Sequence, residues 1–197
     1  WGYWVSILLV NASIAIAVTS YSTVFFDFLN ISSFAMIFTI LILFSIAIIN
    51  YYGIKSAGNF QLITSLIKII PLLVTIVIGF YVFEINNFFP INSSNESNFN
   101  VINITTTLTF FAFLGIESAT IPGDRIENPK KNIPRATIIG TIITIFIYLL
   151  SMIALIGIIP TDEIANSNAP FADAIGTVLG DNTKKAIAIF AIISGLG

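Results

Sequence analysis

The chain has 197 residues, of which 56% are hydrophobic and 9% are charged, and its mean hydropathy is +0.97. A soluble globular domain carries about 25% charged residues, so this composition excludes a water-soluble domain and indicates a protein embedded in a bilayer. The net charge of −2 and the lack of a long basic run argue against a nucleic-acid partner. The lack of Cys and His removes the usual nucleophiles, bases and zinc ligands. We therefore expect no metal, no cofactor and no enzyme activity.

The apolar runs predict membrane-spanning helices, because a helix needs about 20 apolar residues to cross the hydrocarbon core. A shorter apolar segment that starts with Pro and ends with Gly predicts an interfacial helix on the outer side at about 170–179. The predicted spans, in chain order, are residues 1–26, 34–52, 60–83, 101–123, 134–159 and, beginning near the end of the chain, 184–197.

The basic residues give these spans an orientation, because cytoplasmic loops are enriched in Lys and Arg. Five of them fall in two connections, the one between the second and third spans and the one between the fourth and fifth spans. Two others, at the start of the sixth span, lie on the opposite side and weaken this charge asymmetry. The sequence therefore predicts a multi-pass protein of the cell inner (plasma) membrane, with these two connections in the cytoplasm. The five are Lys55, Arg125, Lys130, Lys131 and Arg135, and the two are Lys184 and Lys185.

The ends of the chain predict that it is a fragment of a larger protein. The first residue is Trp1 rather than an initiator Met, and the last residue, Gly197, lies inside an apolar run.

The fourth span contains the most informative side chain, Glu117, which adjoins Ser118 and lies two residues after Gly115. A carboxylate inside a membrane is costly and usually marks a site, while Gly weakens the helix and Ser can bond the freed backbone groups. We expect a broken helix whose exposed backbone binds an ammonium or a carboxylate. The alternative is that Glu117 lies at the inner interface.

Two further polar residues lie within predicted spans. Lys68, about eight residues inside the third span, is either a proton-coupling group or an anchor that snorkels to the inner interface. Asn11, in the first span, either contacts a ligand or bonds a neighbouring helix. Phe111 lies one turn before Gly115, where an aromatic ring can cover an aliphatic or cationic substrate.

Two segments together resemble the sixth helix and following loop of the amino acid, polyamine and organocation (APC) superfamily: Phe-Leu-Gly-Ile-Glu-Ser-Ala at 113–119, and Glu-Asn-Pro-Lys-Lys-Asn-Ile-Pro-Arg at 127–135. The likeness extends over residues 3–11, 52–56 and 169–171, and within the superfamily it points to the basic amino acid/polyamine antiporters, such as the arginine:agmatine antiporter. It implies an all-α integral membrane protein, a fragment covering helices three to eight of a twelve-helix inverted-repeat transporter (APC/LeuT-like fold).

The resemblance also implies a substrate site, in which Leu114 offers its carbonyl to a substrate ammonium and Glu117 takes part in gating. Two departures matter. The Trp of the arginine:agmatine exchanger is replaced by Phe111, a weaker cation platform, which argues against arginine specificity. Lys68 matches proton-coupled permeases of the superfamily rather than the exchanger. Candidate substrate-binding residues are Asn11, Ile14, Phe111, Leu114, Gly115, Ile116, Glu117 and Ser118; candidate proton-coupling groups are Glu117 and Lys68.

The function that we expect is secondary active transport by alternating access, in the form of amino acid/polyamine antiport. The alternatives are proton-coupled amino acid symport, and a non-transporting membrane scaffold or channel subunit. The expected partners are a small-molecule amino acid or polyamine and the lipid bilayer. Protons and a second copy of the chain, in a homodimer, are further candidates.

Overall fold

The computed structural model describes residues 1–51, 57–92, 94, 96–110 and 126–196. Within these ranges every regular element is a helix. Short 3-10 helices cover Asp27–Asn30 and Ile85–Phe88. The α-helices are α1 (Gly2–Ser22), α2 (Ser32–Tyr51), α3 (Ala57–Tyr81), α4 (Asn98–Phe110), α5 (Pro129–Ile158), α6 (Thr161–Asn166), α7 (Pro170–Leu179) and α8 (Asp181–Leu196).

The helices follow the predicted order of spans. Of the helices searched in the described ranges, α1 and α5 are long and apolar enough to cross a membrane, whereas the apolar stretches in α2 and α3, Ser32–Ile48 and Leu66–Tyr81, are shorter. The fourth predicted span is described only as far as Phe110, and its remainder lies outside the described residues. The number of membrane crossings therefore stays a prediction.

Helix α5 begins five residues before the predicted start of the fifth span at 134. Pro129 occupies the first helical position, where its missing N–H costs nothing, and the backbone N–H of Asn132 donates to the Asn128 carbonyl at 3.0 Å. Pro134 lies inside the helix rather than at its start. The helix thus continues through residues whose charges are typical of a loop.

The chain forms two compact units, residues 1–87 with 150–197 and residues 88–149. In the first unit, α8 packs against α7, α1 and α3, and α1 packs against α2. The core of this unit includes a cluster between α7 and α8 to which Ala172, Ile175, Ile187 and Ala188 contribute. The second unit contains α4 and the amino-terminal two thirds of α5.

Two glycines allow helices of the first unit to approach closely. A methyl group at Gly79 of α3 would lie 2.6 Å from both the Cβ and the carbonyl oxygen of Ala154 in α5. A methyl group at Gly195 of α8 would overlap a methyl of Val18 in α1. Ordinary carbon contacts are about 3.5–4 Å long, so these crossings require residues without a side chain.

A single residue, Gly180, connects α7 to α8. Its φ of 88° and ψ of 173° lie in a region that residues with a side chain rarely adopt. Because the connection is this short, side chains on the two helices meet across the turn.

Candidate functional site

Two predicted substrate residues lie on α1. Asn11 is exposed in the described structure, and it lies on the helical stripe of the buried residues Ala15 and Val18. Ile14 is 39% exposed and borders the close approach of α8, since a methyl group at Gly195 would lie 3.7 Å from its Cγ2. The α1 part of the predicted site therefore adjoins α8.

The remaining predicted substrate residues, Phe111, Leu114, Gly115, Ile116, Glu117 and Ser118, lie outside the described residues. The predicted break of the helix beside Glu117 lies there too. Both stay predictions.

Lys68 lies on a partly polar stripe of α3. Thr64, Lys68, Pro71 and Thr75 are spaced i, i+4, i+7, i+11 and therefore share one face of the helix. Thr64 and Thr75 are 3% and 0% exposed, Pro71 is buried, and Lys68 is half-buried. Lys68 thus belongs to the face that α3 turns inward. A lysine that only anchors the helix at the membrane surface would be fully exposed, and Lys68 is not.

The same stripe has an irregular backbone hydrogen-bond pattern. Pro71 has no N–H to donate to the carbonyl of Ile67, and the hydroxyl of Thr75 donates to the Pro71 carbonyl at 2.8 Å. The Ile67 carbonyl, which immediately precedes Lys68 in the chain, therefore lacks its regular helical donor.

Helix α8 packs against both α1 and α3. It therefore links the helix that carries Asn11 and Ile14 with the helix that carries Lys68. The sequence analysis could not predict this link, because spacing along the chain does not identify α8 as the common neighbour of α1 and α3.

A hydroxyl pair between α1 and α2 was not predicted. The hydroxyl oxygens of Thr19 and Thr39 are 2.8 Å apart, and each lies within hydrogen-bond distance of a carbonyl of its own helix, Ala15 at 2.9 Å and Ala35 at 2.8 Å. Beside the pair is a cavity of about 370 Å³, whose lining also includes Asn30. Two protons serve three close contacts, so one hydroxyl donates to the other, which in turn donates to a carbonyl.

A second polar cluster, also not predicted, joins α7 to α8. Asp173 pairs with Lys184 at 2.8 Å and accepts a hydrogen bond from the hydroxyl of Ser167, which in turn accepts the backbone N–H of Ala169 at 3.0 Å. The side chains of Asp173 and Lys184 are 32% and 34% exposed. A cavity of about 570 Å³ lies beside them. Sequence spacing could not have predicted this pair, because it depends on the sharp turn at Gly180.

An exposed ion pair follows at the start of α8, where Lys185 and Asp181 are 2.7 Å apart. The hydrogen bond and the positive charge of Lys185 lower the pKa of the Asp181 carboxyl. This stabilisation is therefore present at neutral pH and is lost as the pH falls through the lowered pKa.

The described structure has long apolar helices and widely exposed Ile, Leu and Phe side chains, which is typical of a helical integral membrane protein. The sequence model of the amino acid permease family matches residues 1–197, and the chain belongs to this family. The resemblance to the APC superfamily is thereby confirmed.

Curated relatives cover nearly the whole chain. It is 33% identical to the putrescine transporter PotE of Haemophilus influenzae over 198 residues, 99% of the chain and 45% of the relative. It is 32% identical to the putrescine transporter PotE of Escherichia coli, over 99% of the chain and 45% of the relative. It is 29% identical to the cadaverine/lysine antiporter of Escherichia coli, over 95% of the chain and 43% of the relative.

The chain therefore spans somewhat under half the length of these relatives. The family and these relatives are transporters, which agrees with the expectation that the chain is not an enzyme. The same findings support a membrane protein.

Proposed function

We propose that the protein is a secondary active antiporter of the inner membrane that exchanges an amino acid for a polyamine, or one such substrate for another, by alternating access. The observation that carries the proposal is the family match over the whole chain, together with relatives named for putrescine and for cadaverine and lysine. These molecules share a primary ammonium on an aliphatic chain, so we propose substrates of this class.

The proposed site combines backbone carbonyls near Leu114, the side chain of Glu117 and the α1 residues Asn11 and Ile14. The contact of Ile14 with α8 supports this arrangement, because a site between helices needs residues that lie at such a contact. Phe111 in the proposed site favours an aliphatic ammonium over a planar guanidinium, since Phe is a weaker cation platform than Trp. We further propose that protonation of Glu117 or Lys68 biases the two facing states, and that two copies of the chain form a homodimer.

The second candidate is proton-coupled symport. The observation that favours it is the half-buried position of Lys68, in one stripe with the buried Thr64 and Thr75. A positive charge in that position would interact differently with its surroundings in the two facing states of a transporter, and a coupled proton could act through that difference.

Proteoliposomes that contain the protein distinguish the two mechanisms. Antiport predicts that uptake of labelled putrescine or lysine requires internal putrescine or lysine and does not respond to an imposed pH gradient. Symport predicts uptake without internal substrate, driven by an inward proton gradient and lost in Lys68→Met. Lys185→Met serves as the control, because it removes a lysine at the exposed start of α8.

Glu117→Gln tests the site itself and separates transport from a scaffold role. A transporter keeps its expression and changes the pH dependence of exchange, whereas a scaffold loses assembly. Glu96→Gln, in an exposed loop, is the matched control. The absence of any gradient-driven or exchange flux for both substrates would contradict transport of this substrate class.

A further inference from the structure

The first half of α5 is exposed on most sides, and one of these sides changes from basic to apolar along its length. Lys131, Arg135, Ile138 and Ile142 are spaced i, i+4, i+7, i+11 and lie on one side of the helix, with Lys130 beside the first of them. The three cations are exposed, and Ile138 and Ile142 are 60% and 50% exposed. At 1.5 Å per residue, the face extends for roughly 16 Å along the helix axis.

The basic end of this face has no acidic partner in the described part of the chain. The ion pairs found there join Lys184 to Asp173 and Lys185 to Asp181. The first turn of α5 contains no acidic residue, and the positive end of the helix dipole adds to the field of the three cations. Glu127 lies two residues before the helix but is not among the carboxylates in those ion pairs. The three cations repel one another, and a further anion would relieve that repulsion.

We propose that this face, formed by Lys131, Arg135, Ile138 and Ile142 with Lys130, binds an anionic phospholipid. The phosphate contacts the three cations, and one acyl chain lies along the isoleucines. A zwitterionic lipid brings its own cation to the same place and binds less well. A soluble anion would leave the isoleucines uncovered, so the continuity of basic and apolar surface favours a lipid.

The test uses the purified protein, stripped of lipid in a neutral detergent, with phosphatidylglycerol and phosphatidylcholine of identical acyl chains as probes. Native mass spectrometry measures the apparent affinity for each lipid. The variant K130Q/K131Q/R135Q is expected to lose about fivefold in phosphatidylglycerol affinity for each cation removed, and roughly a hundredfold in total, with little change for phosphatidylcholine.

Two controls separate the proposal from a general effect of charge. K130R/K131R/R135K keeps the three charges and retains the affinity. Lys185→Gln removes one cation at the start of α8 and leaves the affinity unchanged. If the triple Gln variant does not fold, a salt titration of the unmodified protein replaces it, and phosphatidylglycerol binding should fall between about 50 and 500 mM salt, to roughly a tenth or less.

Three results would overturn the proposal. The first is equal binding of the two lipids. The second is a triple Gln variant, or a high-salt sample, that binds phosphatidylglycerol as well as the unmodified protein does. The third is displacement of phosphatidylglycerol by an equal concentration of glycerol phosphate, which lacks acyl chains and would identify an anion site only. None of these results depends on transport activity.

Discussion

Replacing Gly79 with alanine should strongly destabilise the crossing of α3 and α5. The new Cβ would lie 2.6 Å from the Cβ and carbonyl oxygen of Ala154 and 2.8 Å from its carbonyl carbon. To restore ordinary contact the helices must separate by roughly 1 Å, because the obstacle includes backbone that cannot rotate away. Overpacking of this kind costs about 1–3 kcal/mol.

Gly140 provides a matched control, because it lies in the middle of α5 and a methyl group there would have nothing within 4 Å. Both substitutions gain up to about 1 kcal/mol of helix propensity, so Gly140→Ala should be neutral or stabilising. The propensity gain is common to both variants, so they should differ by the overpacking cost of roughly 1–3 kcal/mol, which corresponds to a Tm difference of roughly 2–12 °C.

Thermal unfolding of both purified variants, followed by circular dichroism and by loss of the monodisperse size-exclusion peak, measures this difference. Ala154→Gly in the Gly79→Ala background should restore only part of the loss, because the carbonyl group of residue 154 remains in place. Equal Tm values for Gly79→Ala and Gly140→Ala would refute the reasoning, and so would complete restoration by Ala154→Gly.

The other predictions concern interactions in the same unit, and each is measured as a change in Tm. Gly195→Ala should cost less than alanine at the α3 glycine, because it meets a valine side chain rather than backbone; a larger loss would contradict this. Thr39→Val should cost about 0.5–1.5 kcal/mol, and Thr19→Val in addition should cost little more, since both remove one interhelical hydrogen bond; additive losses would count against the pair. Asp173→Asn should lower the Tm by an amount corresponding to about 1 kcal/mol, whereas Asp181→Asn, in a more exposed pair, should lower it less; equal effects would contradict the difference in surroundings.

Described helices coincide with predicted segments where composition alone determines a helix, while the membrane spans themselves stay predictions. The long uncharged run at the start of the chain gives α1, and the Pro and Gly that flank residues 170–179 match the limits of α7. Helix α6 was not predicted, because six residues are too few to show a helical period. The early start of α5 was missed because Lys130 and Lys131 are typical of a loop between spans, although Pro129 is a favourable first helical residue.

The candidate site shows a similar division. The stripe that contains Thr64, Lys68 and Thr75 could have been found from the sequence, since polar residues at helical spacing in an apolar helix indicate an inward face. The Thr19–Thr39 pair could not, because a hydroxyl in an apolar helix bonds its own carbonyl equally well, and nothing local identifies a partner 20 residues away.

The one-residue connection at Gly180 limits how α7 and α8 can move. With no flexible segment between the two helices, the angle between their axes depends on the φ and ψ of that residue and on the adjacent peptide planes. Any rearrangement that separates α7 from α8 must therefore be a hinge rotation about Gly180 rather than a translation of one helix along the other. Such a rotation moves the far end of α7 most, so the amino-terminal turn at Pro170 would travel farther than any other part of the helix.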